Sequence, residues 1–304
     1  MYIYYISLIF AVILVGGQNC LMKVYQSKIS SSSAFSFLFN AGIGLGACIL
    51  FLVVNGFQFH VRSISVLIAV IMCIGITINN ILAIKVVSIG KISVFTVFLM
   101  LGGMICPFIY GVFFLQEKVG VWRWIALVLL VISMAIVGYK DGEENNKGKN
   151  KIKFLLFCIC TFFSNGLVSI MSKMHQVIPN NSGTNDFLIV TYAILFLINI
   201  VVFGIMYLKK KGNNEETGIA ITKRKCLFGI CLMFSYAIIS GVAFFIQVNS
   251  AIHLPATVLY PIVTGGTIVI TAIFGWLFFK EKISLSDLIG LIIVLGATCL
   301  FLIP

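Results

Sequence analysis

Residues 253–282 read H-L-P-A-T-V-L-Y-P-I-V-T-G-G-T-I-V-I-T-A-I-F-G-W-L-F-F-K-E-K. A polar elbow, Lys280-Glu281-Lys282, ends this stretch, and I-S-L-S-D-L then opens a second apolar run that reaches Pro304. Each run has about the 20 residues that a bilayer-crossing helix needs. The same unit occurs earlier: Gly102-Gly103 leads through Phe113-Phe114-Leu115 to Gln116-Glu117-Lys118 and another apolar run. Without gaps, Glu117 falls on Glu281, Lys118 on Lys282, Gly111 on Gly275, Ile125 on Ile289 and Leu127 on Leu291. One residue of slippage then sets Gly102-Gly103 on Gly265-Gly266. A hydrophobic module repeated in this way predicts a two-fold membrane protein.

Composition agrees. The chain is 61% hydrophobic and 10% charged, with a mean hydropathy of +1.13. No soluble domain has room for that much exposed apolar surface. The net charge of +12 comes from lysines between apolar runs, which suits loops held in the cytoplasm. It does not indicate nucleic acid, because no basic face with interleaved aromatics lies outside the runs. The nine cysteines sit in or beside apolar runs without zinc-type spacing, and read as reduced thiols packed as small apolar groups.

The expected fold is all-α, a polytopic membrane protein of ten transmembrane helices arranged as two inverted five-helix repeats. The first run is Tyr2 to Met22, with no basic lead or cleavage site that would make it a removable signal. The others are 32–54, 64–84, 92–115, 121–139, 154–172, 187–208, 226–246, 256–279 and 286–303. Unbroken apolarity argues for helices, since barrel strands would alternate. Residues 1–139 make the first repeat, 140–153 a polar flexible linker and 154–304 the second repeat. An odd number of crossings per half inserts the second half upside down, the architecture suited to alternating access.

The first helices of the halves also match. Gly16 to Lys23 has the spacing of Gly166 to Lys173, and Gln26 falls on Gln176. Seven residues are nearly two turns, so glycine and lysine share a face. The glycine admits a neighbouring helix. Each lysine is expected to snorkel to water or, alternatively, to gate the path or hold an anionic group. Loops after odd-numbered helices carry seventeen lysines and arginines, those after even-numbered helices four, which puts the odd-helix loops in the cytoplasm and both termini outside.

These features together resemble the drug/metabolite transporter superfamily, in its ten-helix EamA-type branch. The resemblance rests on the glycine–lysine spacing in helices 1 and 6, the acidic elbows after helices 4 and 9, and the opening L-P-A-T-V-L-Y-P of helix 9. It implies a carrier of small metabolites in the cell membrane, with a central cavity lined by helices 1, 3, 4, 6, 8 and 9. It also implies cytoplasmic termini, against the charge count. Small four-helix relatives carry a membrane-embedded glutamate in their first helix, where this chain has Gly16-Gly17-Gln18-Asn19.

All nine acids lie outside the run interiors, so the buried carboxylate that carries protons in many pumps is missing. Exchange, facilitated diffusion, or coupling through elbow acids or backbone sites stay open. The candidate substrate-binding residues are the uncharged Gln18, Asn19, Asn79, Asn80, Asn165, Tyr236 and Tyr260. Asn79 and Asn80 point about 100° apart, so one can brace the bundle while the other faces a cavity. Pro261 deprives its helix of a backbone bond, and the freed carbonyl either meets a ligand or marks a packing kink. Lys23, Lys173, Glu117, Glu281 and Pro261 are the gating or structural candidates. The elbow acids read first as structural, bridging lysines or capping the following helix, and Ser284 to Asp287 fits a capping box. His60, His175 and His253 are isolated from carboxylates, and no hydrolase or zinc-protease motif occurs, so the chain reads as a carrier and not an enzyme. No cofactor or metal is called for. A neutral or zwitterionic metabolite is the expected cargo, and the lipid bilayer the other partner. With two halves in one chain a monomer suffices, and a dimer is compatible. The alternative class is a non-transporting membrane scaffold or lipid-interacting protein.

Overall fold

The computed structural model describes residues 2–28, 33–87, 92–140, 149–212, 223–280 and 285–302. The apolar runs become ten α-helices: α1 (Tyr2–Lys28), α2 (Ser33–Val54), α3 (Ser63–Val87), α4 (Ile92–Phe113), α5 (Val121–Lys140), α6 (Lys149–Val177), α7 (Thr184–Gly212), α8 (Lys223–His253), α9 (Ala256–Phe279) and α10 (Leu285–Leu300). Eight are long and apolar enough to cross a membrane, while the apolar parts described for α5 and α10, Val121–Ser133 and Leu288–Leu300, are shorter. The protein is an all-α, polytopic membrane protein. Its helices bond their own backbones, the requirement that lipid imposes. Their outer stripes are apolar: Leu197, Val201, Ile205 and Leu208 of α7 are all exposed, at helical spacing.

Several helices outrun their apolar windows. α1 continues to Lys28, α8 covers Lys223–His253, and α6 starts at Lys149, so 149–153 are helix and not linker. Hydropathy marks where a chain leaves the apolar layer. A helix can continue beyond that point, because its hydrogen bonds are internal and long charged stems reach water. The remaining linker residues, 141–148, and the elbow residues Glu281 to Ser284 lie outside the described residues.

Four connections, 55–62, 114–120, 178–183 and 254–255, follow α2, α4, α6 and α8. They gather at one end of the bundle. Asn55 Nδ2 donates to Asp186 Oδ1 at 2.9 Å, and the Arg62 backbone N–H donates to Ser182 Oγ at 2.9 Å. Ser65 Oγ accepts the Ser182 N–H and pairs with His175 Nε2 at 3.0 Å. The His175 ring stacks on Phe187, with centroids 3.7 Å apart. The start of α1 lies here too, where Tyr4 stacks on His253 at 4.1 Å. α1 therefore begins where α6 ends, α2 ends where α7 begins, and α3 begins where α8 ends.

The main helix pairings map onto themselves when the two sets of five are exchanged. α1 packs on α8 and α9 as α6 packs on α3 and α4, while α2·α7, α4·α9 and α5·α10 pair with their own counterparts. The mapping extends to atoms. A Cβ at Gly166 would overlap Cys106, and one at Gly16 would overlap Ile270, the residue that the ungapped repeat sets opposite Cys106. A Cβ at Gly102 would strike the Phe162 backbone, and one at Gly266 the side chain of Val12, again equivalent partners. Gly102 thus corresponds to Gly266, and the one-residue slippage read from the sequence is wrong. Two glycines in a row allow either register by identity, and only the facing helix chooses between them.

The α4–α6 contact is the tighter one: a Cβ on Gly102 would lie 2.6 Å from the Phe162 carbonyl carbon. Backbone cannot swing away as a side chain does. Gly102→Ala is expected to force the helices apart and cost about 1–3 kcal/mol, read as a lower midpoint of thermal unfolding in detergent. Gly266→Ala, against a valine side chain, should cost less. Gly296→Ala, with open space around it, should be neutral or slightly stabilising.

Candidate functional site

The last residues of α8 and the first of α9 form a break in an otherwise helical wall, with only Leu254 and Pro255 between them. Leu254, Ala256 and Thr257 are all buried. The Ala251 carbonyl has lost its helical partner, because Pro255 has no N–H. The Ala256 and Thr257 amides start α9, and Pro255 offers them no side-chain cap. Two charged side chains satisfy these groups. The Lys173 ammonium donates to the carbonyl oxygens of Ala251 at 2.6 Å and Leu254 at 2.7 Å. The Glu117 carboxylate accepts the Ala256 N–H on Oε1 at 2.7 Å and the Thr257 N–H on Oε2 at 2.9 Å. Each sign suits its helix end: cation at the carbonyls, anion at the amides. The two charges also attract one another across the break.

Local sequence places both groups. Lys173 lies seven residues after Gly166, whose missing Cβ lets α4 approach α6. After α4 the chain turns on Gln116 in the left-handed conformation, φ 53°, and the Glu117 N–H donates back to the Gly111 carbonyl at 3.0 Å. A Cβ on Gly111 would lie 2.6 Å from Glu117 Oε2, so glycine makes room for the carboxylate. Lys280, the counterpart of Gln116, has the same left-handed turn at the end of α9, also at φ 53°.

Two expectations are corrected here. Lys173 does not snorkel: it is 5% exposed, and backbone carbonyls hold its ammonium inside the protein. Glu117 caps α9 of the other half, not the helix that follows it. Lys23, the counterpart of Lys173, is exposed, with its ammonium 4.5 Å from the Phe279 ring centre. Glu281 and the Ser284 capping position lie outside the described residues.

Beside this junction the helices border two adjoining cavities. The smaller, about 230 Å³, lies beside Ser172, Leu259 and Tyr260. The larger, about 500 Å³, is lined by polar side chains from both halves, among them Gln18, Asn40, Asn80, Asn165, Tyr236 and Gln247. Apolar side chains such as Met72, Ile76, Leu195 and Phe244 fill the rest of the wall, and none of the lining residues carries a charge. Asn165, Val168, Phe244, Gln247 and Val263 border both spaces.

Of the predicted binding residues, Gln18, Asn80, Asn165 and Tyr236 line the larger cavity, and Asn165 and Tyr260 the smaller. Tyr260 also ties α9 to α6, its hydroxyl donating to the Ser169 carbonyl at 2.7 Å. Asn79 and Asn80 divide their roles: Asn80 faces the cavity, while Asn79 is buried and its Nδ2 reaches Asn165 Oδ1 at 3.5 Å. Asn165 in turn donates to the Leu99 carbonyl at 2.7 Å. Asn19 lines neither space and braces α1 on α9 through Thr271 Oγ1 at 3.0 Å. Pro261 is buried within α9.

The sequence reading missed α2 and α7. They supply Asn40, Thr191, Tyr192 and Asn199 to the larger cavity, against the expectation of helices 1, 3, 4, 6, 8 and 9. The cause is a backbone-to-backbone crossing, in which a Cβ on Gly44 would lie 2.8 Å from the Phe196 nitrogen. Gly44 was the available signal, but a glycine in an apolar run does not say which helix approaches it.

Comparison with known proteins gives two findings. The family model described as Small Multidrug Resistance protein matches residues 187–294, which cover α7 to α9 and most of α10, not the α1 segment. A solved structure titled "Crystal structure of protein" has a similar fold, with a TM-score of 0.69 and 11% identity over 99% of this chain and 98% of that one. No curated protein matches the chain. The family match lies within the second half and covers less than half of the chain, and the solved structure shows that the ten-helix fold occurs elsewhere.

Proposed function

We propose that this protein is a ten-helix, EamA-type carrier that moves a small neutral or zwitterionic metabolite across the cell membrane by alternating access. The observation that carries this reading is the uncharged, amide- and tyrosine-lined cavity of about 500 Å³, walled by helices of both halves. Amides and hydroxyls bind polar groups without demanding a counter-charge, and the apolar wall accepts a hydrocarbon part. Residues 1–139 and 154–304 act as the two repeats, each able to close one end of the path. Lys173 and Glu117 are the latch that closes the end at the α8–α9 junction. Lys23, in the first half, and Glu281, in the second, are its counterparts and would close the opposite end in the other state.

Uptake of a labelled metabolite panel into proteoliposomes tests the carrier reading. Saturable, competable uptake of a neutral or zwitterionic solute is expected. Its absence across the panel would leave a scaffold or lipid-interacting protein. Within that assay Asn80→Ala should raise KM, because Asn80 faces the cavity, while Asn79→Ala should lower the unfolding temperature with less effect on KM.

Latch removal gives a second test. Lys173→Met leaves two buried carbonyls unpaired, a cost of about 1–3 kcal/mol to the state that uses them. Glu117→Gln, which sets an NH2 against one amide, should act alike. Because both hold one junction, their double mutant should fall short of the summed effects. In a background without native cysteines, Ser172→Cys should react faster with reagent from the latch side once Lys173 is replaced.

Charge bias places the loops after odd-numbered helices, and so the polar 141–148 segment, in the cytoplasm, with both termini outside. A reporter that works only in the cytoplasm, fused after Pro304, is expected to be silent, and activity would reverse the orientation.

A further inference from the structure

One stripe of α7 is not used by the latch, and nothing in the sequence singled it out. Thr191, Leu195 and Asn199 recur every four residues on one face of the helix, and all three line the larger cavity. Asn199 is 1% exposed. Its Nδ2 donates to the Leu195 carbonyl one turn earlier, at 2.7 Å. That bond orients the amide, since turning it over would set its oxygen against the carbonyl oxygen. The Oδ1 is left as the end without a partner, buried and unbonded. Buried carbonyl oxygens in folded proteins nearly always hold a donor. A hydroxyl such as Thr191 Oγ1, also unbonded here, can rotate to suit either role, but a side-chain carbonyl only accepts.

We infer that Asn199 Oδ1 is the specificity-determining acceptor of the cavity, and that it takes an N–H of the cargo, an amine or ammonium group. This rests on the carrier reading above and adds the chemical class of the group recognised. The surroundings fit such a nitrogen. Tyr192, Tyr236 and Phe244 border the same space, and their ring faces attract a partial or full positive charge. No carboxylate lines the cavity to demand a net cation, so the nitrogen belongs to a neutral or internally balanced molecule. Asn165 is already engaged, its Nδ2 donating to Leu99 and its Oδ1 facing Asn79, and Asn79, whose own Oδ1 is also buried and unbonded, borders neither cavity.

The test uses matched pairs, L-phenylalanine, L-leucine and L-glutamine against their N,N,N-trimethyl betaines. Each betaine keeps the zwitterionic charge and loses every N–H on that nitrogen. Binding is measured on the detergent-solubilised full chain, and uptake into proteoliposomes is measured in parallel. The wild type should prefer the N–H member of at least one pair. Asn199→Leu, close in volume, should weaken that member about tenfold, the loss of one hydrogen bond, and leave the betaine unchanged. Asn199→Ala serves if the leucine variant is not monodisperse, and the wild-type pair comparison decides if neither variant folds. A preference that survives in the variants, or a wild type that binds or carries both members equally, overturns the acceptor and leaves the carrier standing. A wild type that neither binds nor carries any member overturns the acceptor, and uptake of the wider panel then shows whether the carrier reading falls with it.

Discussion

Where one helix ends and the next begins inside the protein, buried amides and carbonyls that water cannot reach must be paired from within. At the α8–α9 junction that pairing comes from Lys173 and Glu117, one charge for each end of the break. Pro255 makes the need acute by removing the N–H that the Ala251 carbonyl would use. A neutral side chain would satisfy the same groups more weakly, because charged hydrogen bonds are roughly twice as strong as neutral ones. Both charges are themselves stabilised by the dipoles they cap, and each compensates the other. Charge can therefore be kept in a place where an isolated ion would be expelled.

This pairing also joins the halves. Glu117 belongs to the first set of five helices and caps a helix of the second, while Lys173 belongs to the second and ends α8 beside it. The close contact of α4 with α6, the helices that carry the two charges to the junction, depends on the bare faces of Gly102 and Gly166. The same residue types occur in the first half, yet the structure is not symmetric. Lys173 is buried in its carbonyls, and Lys23 is exposed over the Phe279 ring. The proposed alternating access would account for two near-copies in unlike environments.

Between the helices the chain keeps its polar groups uncharged. Amides in such a cavity face a choice between bracing and recognition, and neighbouring positions divide the two tasks. Asn79 and Asn19 bond to other helices, whereas Asn80 and Gln18 face the space. Among the residues that line the larger cavity, Asn199 has an amide oxygen that is buried without a partner. A solute nitrogen is the partner proposed for it.

The helices were legible because lipid imposes a simple rule: about 20 apolar residues with internally bonded backbone. Their number, the duplication and the separate roles of Asn79 and Asn80 follow from hydropathy, spacing and helical periodicity, all properties of the chain as a string. What escaped that reading depends on which helices meet. The glycine register needed Phe162 and Val12 across the interface, and the cavity wall of α2 and α7 needed the crossing at Gly44. Lys173 looked like a snorkelling residue because its distance from the helix end is local, whereas the carbonyls that hold it come from almost eighty residues away in sequence. Apolar pattern, chain length and repeat are set along the chain, because each helix satisfies its own backbone. The partners of a buried charge or amide are set only when helices pack, because those bonds are short, directional and made between distant segments.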